Sequence, residues 1–149
     1  MGMKIIHIGV IDKILISYPA THVLNYLWDI KNLADYEPKV DRILLNATKN
    51  TYEVTHGHFA GIPWKGNFSY KKTDDGFISE ILNRPLGIFV KGGFQVKEKQ
   101  GATEVQHFES YNFPIWALPA KPLIRMYLKW AMKKELRNIS NGVAHSISS

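Results

Sequence analysis

Side chains that could act as acids and bases alternate along one strand-like segment late in the chain. His107, Glu109 and Tyr111 occupy every second position there, and alternate residues of a β-strand face the same side of a sheet. An imidazole and a carboxylate on one face could polarise a carbonyl group, hold a carboxylate or exchange protons with a bound molecule. His107, Glu109 and the later Glu135 are therefore candidate catalytic residues. A hydrogen-bonded structural role is the simpler interpretation of His107.

A second alternating segment carries His56 and His58 on the same parity as Tyr52 and Val54. Either this parity faces the interior and adds two imidazoles to the first group, or both histidines are exposed, which we favour. Three histidines and the carboxylates could also ligate zinc, but their positions lack the tight spacing of a zinc motif. We therefore expect no metal ion, and we expect no cofactor.

A helical pattern from about Pro119 to Ile139 is the last element that the sequence predicts. At 100° per residue its apolar face consists of Ala120, Ile124, Tyr127, Leu128, Ala131, Met132 and Ile139. Glu135 projects from the middle of that face, where a carboxylate is costly unless it is paired or hydrogen-bonded. Glu135 thus has three possible roles: a polar group that lines a cavity, a structural partner of a buried lysine, arginine or histidine, or a solvated residue at a frayed helix end.

The same helix carries basic residues at intervals of four, which we call the basic stripe: Lys121, Arg125, Lys129, Lys133 and Arg137. Met126 and Trp130 flank it. A cationic helix face edged by apolar side chains suits an anionic membrane surface, as does the net charge of +6. A solvated helix face is the alternative. Nucleic acid is not favoured, because no base-stacking motif accompanies the basic residues.

The remaining elements are predicted from periodicity and turn residues. A strand from Lys4 to Ser17 precedes a helix after Pro19 and a short helix at Asn32 to Tyr36. Six further strands follow: Asp41–Ala47, Thr51–Ala60, Ile62–Thr73, Phe77–Asn83, Gly87–Lys99 and Thr103–Phe113. Gly92-Gly93 predicts a bulge or a sharp bend, by which a sheet curls around something. The order of elements predicts an α+β fold.

Length and composition limit the class of protein. The 149 residues fit one domain, 1–149, and 45% hydrophobic with 21% charged residues is typical of a globular chain. The absence of cysteine excludes disulfides, thiolate metal sites and a cysteine nucleophile. Neither a signal peptide nor an apolar stretch of about 20 residues is evident. We expect a cytoplasmic protein, with peripheral membrane contact as an option.

Four stretches resemble the SRPBCC superfamily, which comprises START-like, polyketide cyclase/dehydrase, coenzyme-Q-binding and birch-pollen-allergen-like proteins. They are residues 16–20 (Ile-Ser-Tyr-Pro-Ala), 23–29 (Val-Leu-Asn-Tyr-Leu-Trp-Asp), 32–40 (Asn-Leu-Ala-Asp-Tyr-Glu-Pro-Lys-Val) and 103–107 (Thr-Glu-Val-Gln-His). The resemblance implies a helix-grip fold, in which a seven-stranded curved antiparallel sheet surrounds a long C-terminal helix, with two short helices after the first strand. Members bind lipids, quinones, sterols or hormones, and some cyclise or hydrolyse their ligands.

The resemblance implies a ligand cavity between the sheet and the last helix. Strand and helix periodicity then nominate its lining: Trp64, Phe68, Tyr70, Val90, Phe94, His107, Tyr111, Phe113, Ile124, Tyr127, Leu128 and Ala131. We expect a monomer or weak dimer that binds a hydrophobic small molecule such as a fatty acid, isoprenoid, quinone or polyketide. One alternative is a cyclase or dehydratase that uses the histidine and glutamate groups. Another is a membrane- or protein-interaction module that uses the basic stripe.

Overall fold

The computed structural model describes residues 4–148 and confirms the predicted order of elements. Strand β1 (Ile5–Ile16) is followed by helices α1 (Ala20–Trp28) and α2 (Leu33–Tyr36). The other strands are β2 (Val40–Asn46), β3 (Thr51–Phe59), β4 (Ile62–Thr73), β5 (Gly76–Ile81), β6 (Phe89–Lys99) and β7 (Ala102–Pro114), and helix α3 (Lys121–Ser148) comes last. The seven strands form one antiparallel sheet in the order β1-β7-β6-β5-β4-β3-β2. This is the helix-grip α+β architecture that the sequence predicts.

Alternation along the strands gives the sheet one buried face. In β7, residues of one parity, from Val105 to Phe113, are buried, while the other parity is partly exposed. The predicted strand limits agree with the observed ones to within two residues, because the apolar alternation and the turn residues that set them are local features of the sequence.

Helix α3 lies against the buried face and is longer than predicted. Its buried side chains include Leu128, Met132, Leu136, Ile139 and Val143. The predicted end at Ile139 is wrong, because Val143 continues the apolar row by one more turn. No helix within residues 4–148 combines the length and apolarity that crossing a bilayer requires.

The sheet curves without the predicted bulge at Gly92-Gly93. Both glycines pair in continuous register with β5 and β7, so of the two predicted alternatives, a bulge or a sharp bend, the bulge is wrong. A Cβ atom on Gly93 would lie 2.4 Å from the carbonyl oxygen of Phe77, which shows how closely the strands approach. A register shift occurs instead between Val54 and Gly57 of β3.

The connection from α2 to β2 enters the interior. Pro38 disfavours helical geometry at the preceding residue, and Glu37 is accordingly extended, with φ −84° and ψ 111°. Asn138 of α3 donates a hydrogen bond to the carbonyl of Tyr36 at 3.1 Å, which ties the end of α2 to the long helix. Glu37 and Lys39 consequently become buried.

Candidate ligand-binding site

A cavity of about 400 Å³ lies between the concave face of the sheet and the first half of α3. Aromatic and aliphatic side chains form most of its wall. The most exposed lining residues include Leu86 at 69%, Trp116 at 56% and Leu123 at 69%, and they mark the mouth. Buried lining residues such as Tyr111 mark the inner end.

Most of the residues predicted to line a cavity do so: Trp64, Phe68, Val90, Phe94, His107, Tyr111, Phe113, Ile124 and Tyr127. Tyr70, Leu128 and Ala131 lie outside the lining. Leu128 and Ala131 are fully buried in the core between helix and sheet. Tyr70 packs against the ring of Tyr52, with the ring centroids 6.1 Å apart.

Five ionisable side chains form a buried polar cluster at the inner end of the cavity: Glu37, Lys39, His107, Glu109 and Glu135. His107 and Glu109 come from the inward face of β7, Glu135 from α3, and Glu37 and Lys39 from the connection between α2 and β2. Two elements, β7 and α3, thus bring the three candidate catalytic residues together, and the connection between α2 and β2 adds Glu37 and Lys39.

The ring of His107 is held from two sides. Its Nδ1 donates a hydrogen bond to the carbonyl oxygen of Gly93 at 2.7 Å, since a carbonyl can only accept. Phe94 stacks on the ring with the centroids 4.0 Å apart. These contacts leave Nε2 of His107 3.2 Å from Oε1 of Glu135 and 3.6 Å from Oε1 of Glu109.

Two atoms of the cluster lie in contact without hydrogen-bond geometry. Among the described residues, neither Nε2 of His107 nor Oε1 of Glu135 has a hydrogen-bond partner. Both side chains are almost fully buried, at 4% and 1% exposure, and both line the cavity. Since a buried polar group that lacks a hydrogen bond is costly, this ion pair is positioned to bond a polar group of a ligand.

Lys39 connects the other carboxylates. Its Nζ lies 2.8 Å from Oε1 of Glu37 and 3.5 Å from Oε1 of Glu109. The hydroxyl of Tyr111 donates to the second oxygen of Glu109 at 2.8 Å. Glu109 therefore joins the lysine side of the cluster to the histidine side.

The electrostatics favour a nearly neutral cluster. Burial lowers the pKa of His107, but Glu135 and Glu109 outweigh burial and raise it well above its usual value. Burial raises the pKa of Glu109, but Lys39 and His107 outweigh burial and lower it to about 2. Burial and the nearby Glu135 raise the pKa of Glu37 well above its usual value, against the influence of Lys39. Three acidic and two basic side chains thus face one another, and their charges partly compensate.

The cluster also contains the donor set of a metal site. Ligand atoms of Glu37, His107, Glu109 and Glu135 all lie within 4.8 Å of one another. However, the ammonium group of Lys39 already pairs with two of these carboxylates and supplies the cation that they require. A metal ion would have to displace it.

Sequence reasoning missed Glu37 and Lys39. The available signal was a charged pair on either side of Pro38, within a segment whose apolar residues Leu33, Tyr36 and Val40 are all buried. His56 and His58 are exposed, because the register shift between Val54 and Gly57 reverses the parity of β3.

The basic stripe lies mainly on the surface. Lys121 is half-buried, and Arg125, Lys129, Lys133 and Arg137 are exposed. Met126 and Trp130 beside them are exposed as well. Arg84 stacks over the ring of Phe89 at 5.0 Å and does not line the cavity.

Comparison with known proteins gives structural neighbours only. No family model and no curated protein matches the sequence. A protein from Thermus thermophilus superposes with a TM-score of 0.80 at 13% identity, over 93% of this chain and 98% of the other. The aromatase/cyclase Zhui from Streptomyces sp. R1128 gives 0.72 at 13% identity, over 95% and 96%. A START superfamily protein from Mycobacterium smegmatis gives 0.74 at 7% identity, over 92% and 97%. With its seven-stranded sheet around α3, this chain has the same helix-grip fold as these structures.

Proposed function

We propose that the protein binds a hydrophobic small molecule in its cavity, with an apolar body along the aromatic wall and a polar end at the buried polar cluster. The observation that carries this proposal is an apolar cavity of about 400 Å³ whose inner end holds a buried ion pair, Nε2 of His107 and Oε1 of Glu135, with neither atom in a hydrogen bond. Small-molecule pockets commonly enclose about 300–1,000 Å³ and combine apolar walls with a few oriented polar groups.

Ligands of this class include fatty acids, isoprenoids, quinones and polyketides. Removing apolar surface from water contributes about 25 cal/mol per Å², so the wall supplies affinity and the cluster supplies orientation. The similarity to an aromatase/cyclase and to a START superfamily protein supports binding of such molecules, but identities of 13% and 7% do not carry over a particular ligand.

Filling the cavity should abolish binding. Ile124 lines the cavity from α3, and Ile124→Trp adds bulk there. We expect wild-type protein to form a saturable one-to-one complex with dodecanol in native mass spectrometry, and the variant to bind at least about tenfold more weakly. Organic extraction of freshly purified wild-type protein would identify any ligand that it already carries.

The matched control is Ile147→Trp, in the same helix but at an exposed position outside the cavity lining. It should bind dodecanol like the wild type. Equal binding by Ile124→Trp and wild type, or no saturable binding of apolar probes by the wild type, would contradict the proposal.

We further propose that the cavity exchanges its ligand at an anionic lipid surface. The exposed side chains of Trp116 and Leu123 at the mouth are apolar, and the basic stripe begins beside them at the start of α3. Apolar groups that enter the headgroup region, with cations nearby, suit a surface that carries phosphatidylserine.

Charge reversal in the basic stripe should remove this binding. Each cation near such a surface contributes about 1 kcal/mol, so combining Lys129→Glu, Lys133→Glu and Arg137→Glu should weaken binding to phosphatidylserine vesicles on the order of a hundredfold. Vesicle co-sedimentation measures the effect. The control combines Lys31→Glu, Lys71→Glu and Lys72→Glu, at exposed positions on other elements. An equal loss in both triple variants would point to net charge alone and refute a specific docking face.

An acid–base enzyme is the second candidate function. The observation in its favour is the contact of 3.2 Å between Nε2 of His107 and a carboxylate oxygen of Glu135 at the cavity wall. A protonated imidazole could donate a proton to a bound carbonyl oxygen while the carboxylate removes a proton from the adjacent carbon. Proton exchange at that carbon would report such chemistry.

A further inference from the structure

We infer that the cavity selects ligands whose polar end is an uncharged hydroxyl or carbonyl group and discriminates against free carboxylates. The inference rests on the proposed ligand-binding function and narrows it, since it removes fatty acid anions from the ligand class. It follows from the charges and the hydrogen-bonding atoms that face the inner end of the cavity.

The charges leave no free cation for an anionic ligand. Within the part of the chain that the structure describes, the cavity lining contains two basic residues, Lys39 and His107, and three acidic residues, Glu37, Glu109 and Glu135. Lys39 already contacts Glu37 and Glu109, at 2.8 Å and 3.5 Å. His107 faces Glu135 and Glu109. A ligand carboxylate would add a fourth acidic group to a buried site with only two basic ones, which burial makes unfavourable.

The hydrogen-bonding atoms match a hydroxyl group. Nδ1 of His107 carries a proton, because it bonds the carbonyl of Gly93, and two carboxylates beside Nε2 favour a second proton there. A ligand hydroxyl can accept from Nε2–H of His107 and donate to Oε1 of Glu135, which gives both atoms the hydrogen bond that they lack. A ligand carbonyl oxygen can only accept, so it bonds Nε2–H of His107 and not Oε1 of Glu135. A carboxylate would set an oxygen without a proton against Oε1 of Glu135.

The test compares three probes of equal chain length at neutral pH: dodecanol, methyl dodecanoate and dodecanoate. Titration followed by the fluorescence of Trp64 and Trp116, which line the cavity, gives their dissociation constants. We expect dodecanol and methyl dodecanoate to bind at least about tenfold more tightly than dodecanoate. Dodecanoate binding as tightly as dodecanol would overturn the inference and leave the proposed function intact. Absence of saturable binding for all three probes would overturn the proposed function itself.

A substitution in the buried polar cluster tests whether the cluster causes the discrimination against carboxylates. Glu135→Gln keeps the shape of the side chain and removes one negative charge, so the ratio of dodecanoate to dodecanol dissociation constants should fall toward one. Glu98→Gln, at an exposed position of β6, should keep the wild-type ratio. An unchanged ratio in Glu135→Gln would contradict the role of the cluster. Should that variant fail to fold, the three probes on the wild-type protein still decide the inference.

Discussion

Lys39→Met is expected to lower the free energy of unfolding by about 3–5 kcal/mol, the usual effect of removing one partner of a buried ion pair. Lys39 is buried between Glu37 and Glu109, and methionine fills similar space without a charge. Both carboxyl groups would then lie in an apolar interior without their cation. Urea denaturation of the wild type and the variant measures the difference.

The effect of Lys39→Met should depend on pH in a defined direction. Burial opposes ionisation of Glu109, but Lys39 and His107 hold its pKa at about 2, below the usual value of about 4.3. A lowered pKa contributes stability that is present above about pH 4.3 and is lost as the pH falls toward about 2. Without Lys39 this contribution shrinks, so the gap between the two proteins should be widest at neutral pH and narrow in acid.

Two comparisons test this explanation. Lys71→Met removes an exposed lysine of β4 and should change stability by less than about 0.5 kcal/mol. Adding Glu109→Gln to Lys39→Met should recover part of the loss, because one uncompensated carboxyl group disappears. A loss below about 1 kcal/mol that is the same in acid and at neutral pH would show that the cluster does not act as a paired unit.

If the protein is an acid–base enzyme, the His107→Gln variant should exchange the α-protons of a bound ketone with solvent deuterium at least about 100-fold more slowly than the wild type. In the acid–base candidate function, the imidazolium would donate a proton to the ketone oxygen while Glu135 takes a proton from the α-carbon. After these groups exchange with solvent, reversal of both steps would place deuterium on that carbon. Positioned proton transfer of this kind contributes about 10²–10⁴-fold. Nuclear magnetic resonance of dodecan-2-one in deuterated buffer measures the rate.

The exposed His56 supplies the control, because His56→Gln changes an imidazole that lies outside the cavity lining. This variant should exchange at the wild-type rate. If the wild-type protein binds the ketone but the exchange is no faster than in buffer alone, the acid–base candidate is wrong and the binding proposal stands.

The sequence predicts well what depends on local periodicity. Alternation along β7 puts His107 and Glu109 on one face, which the structure shows to be the buried one. The helical period puts Glu135 on the apolar face of α3, which is buried as well. The order and limits of the strands follow for the same reason, since turn residues and apolar alternation set them, whereas the helix-grip arrangement is implied by the family resemblance.

The remaining site features depend on tertiary structure. Glu37 and Lys39 lie in a short connection without periodicity, and their burial results from the packing of α2 against α3. A register shift before Gly57 reverses the parity that would have turned His56 inward. The helical period also identifies which face of α3 is buried, but it does not show where along that face the cavity ends. For this reason the sequence predicts that Leu128 lines the cavity, whereas the structure places it in the core.

A crystal structure of the protein with dodecanol would test directly whether a hydrophobic ligand lies in the cavity with its polar end at the buried polar cluster. We predict density for the alkyl chain in the cavity, with the hydroxyl within hydrogen-bond distance of Nε2 of His107 and Oε1 of Glu135 and the tail directed toward Trp116 and Leu123. A cavity without density at saturating dodecanol, or a chain with its hydroxyl at the mouth and its tail against the buried polar cluster, would contradict this prediction.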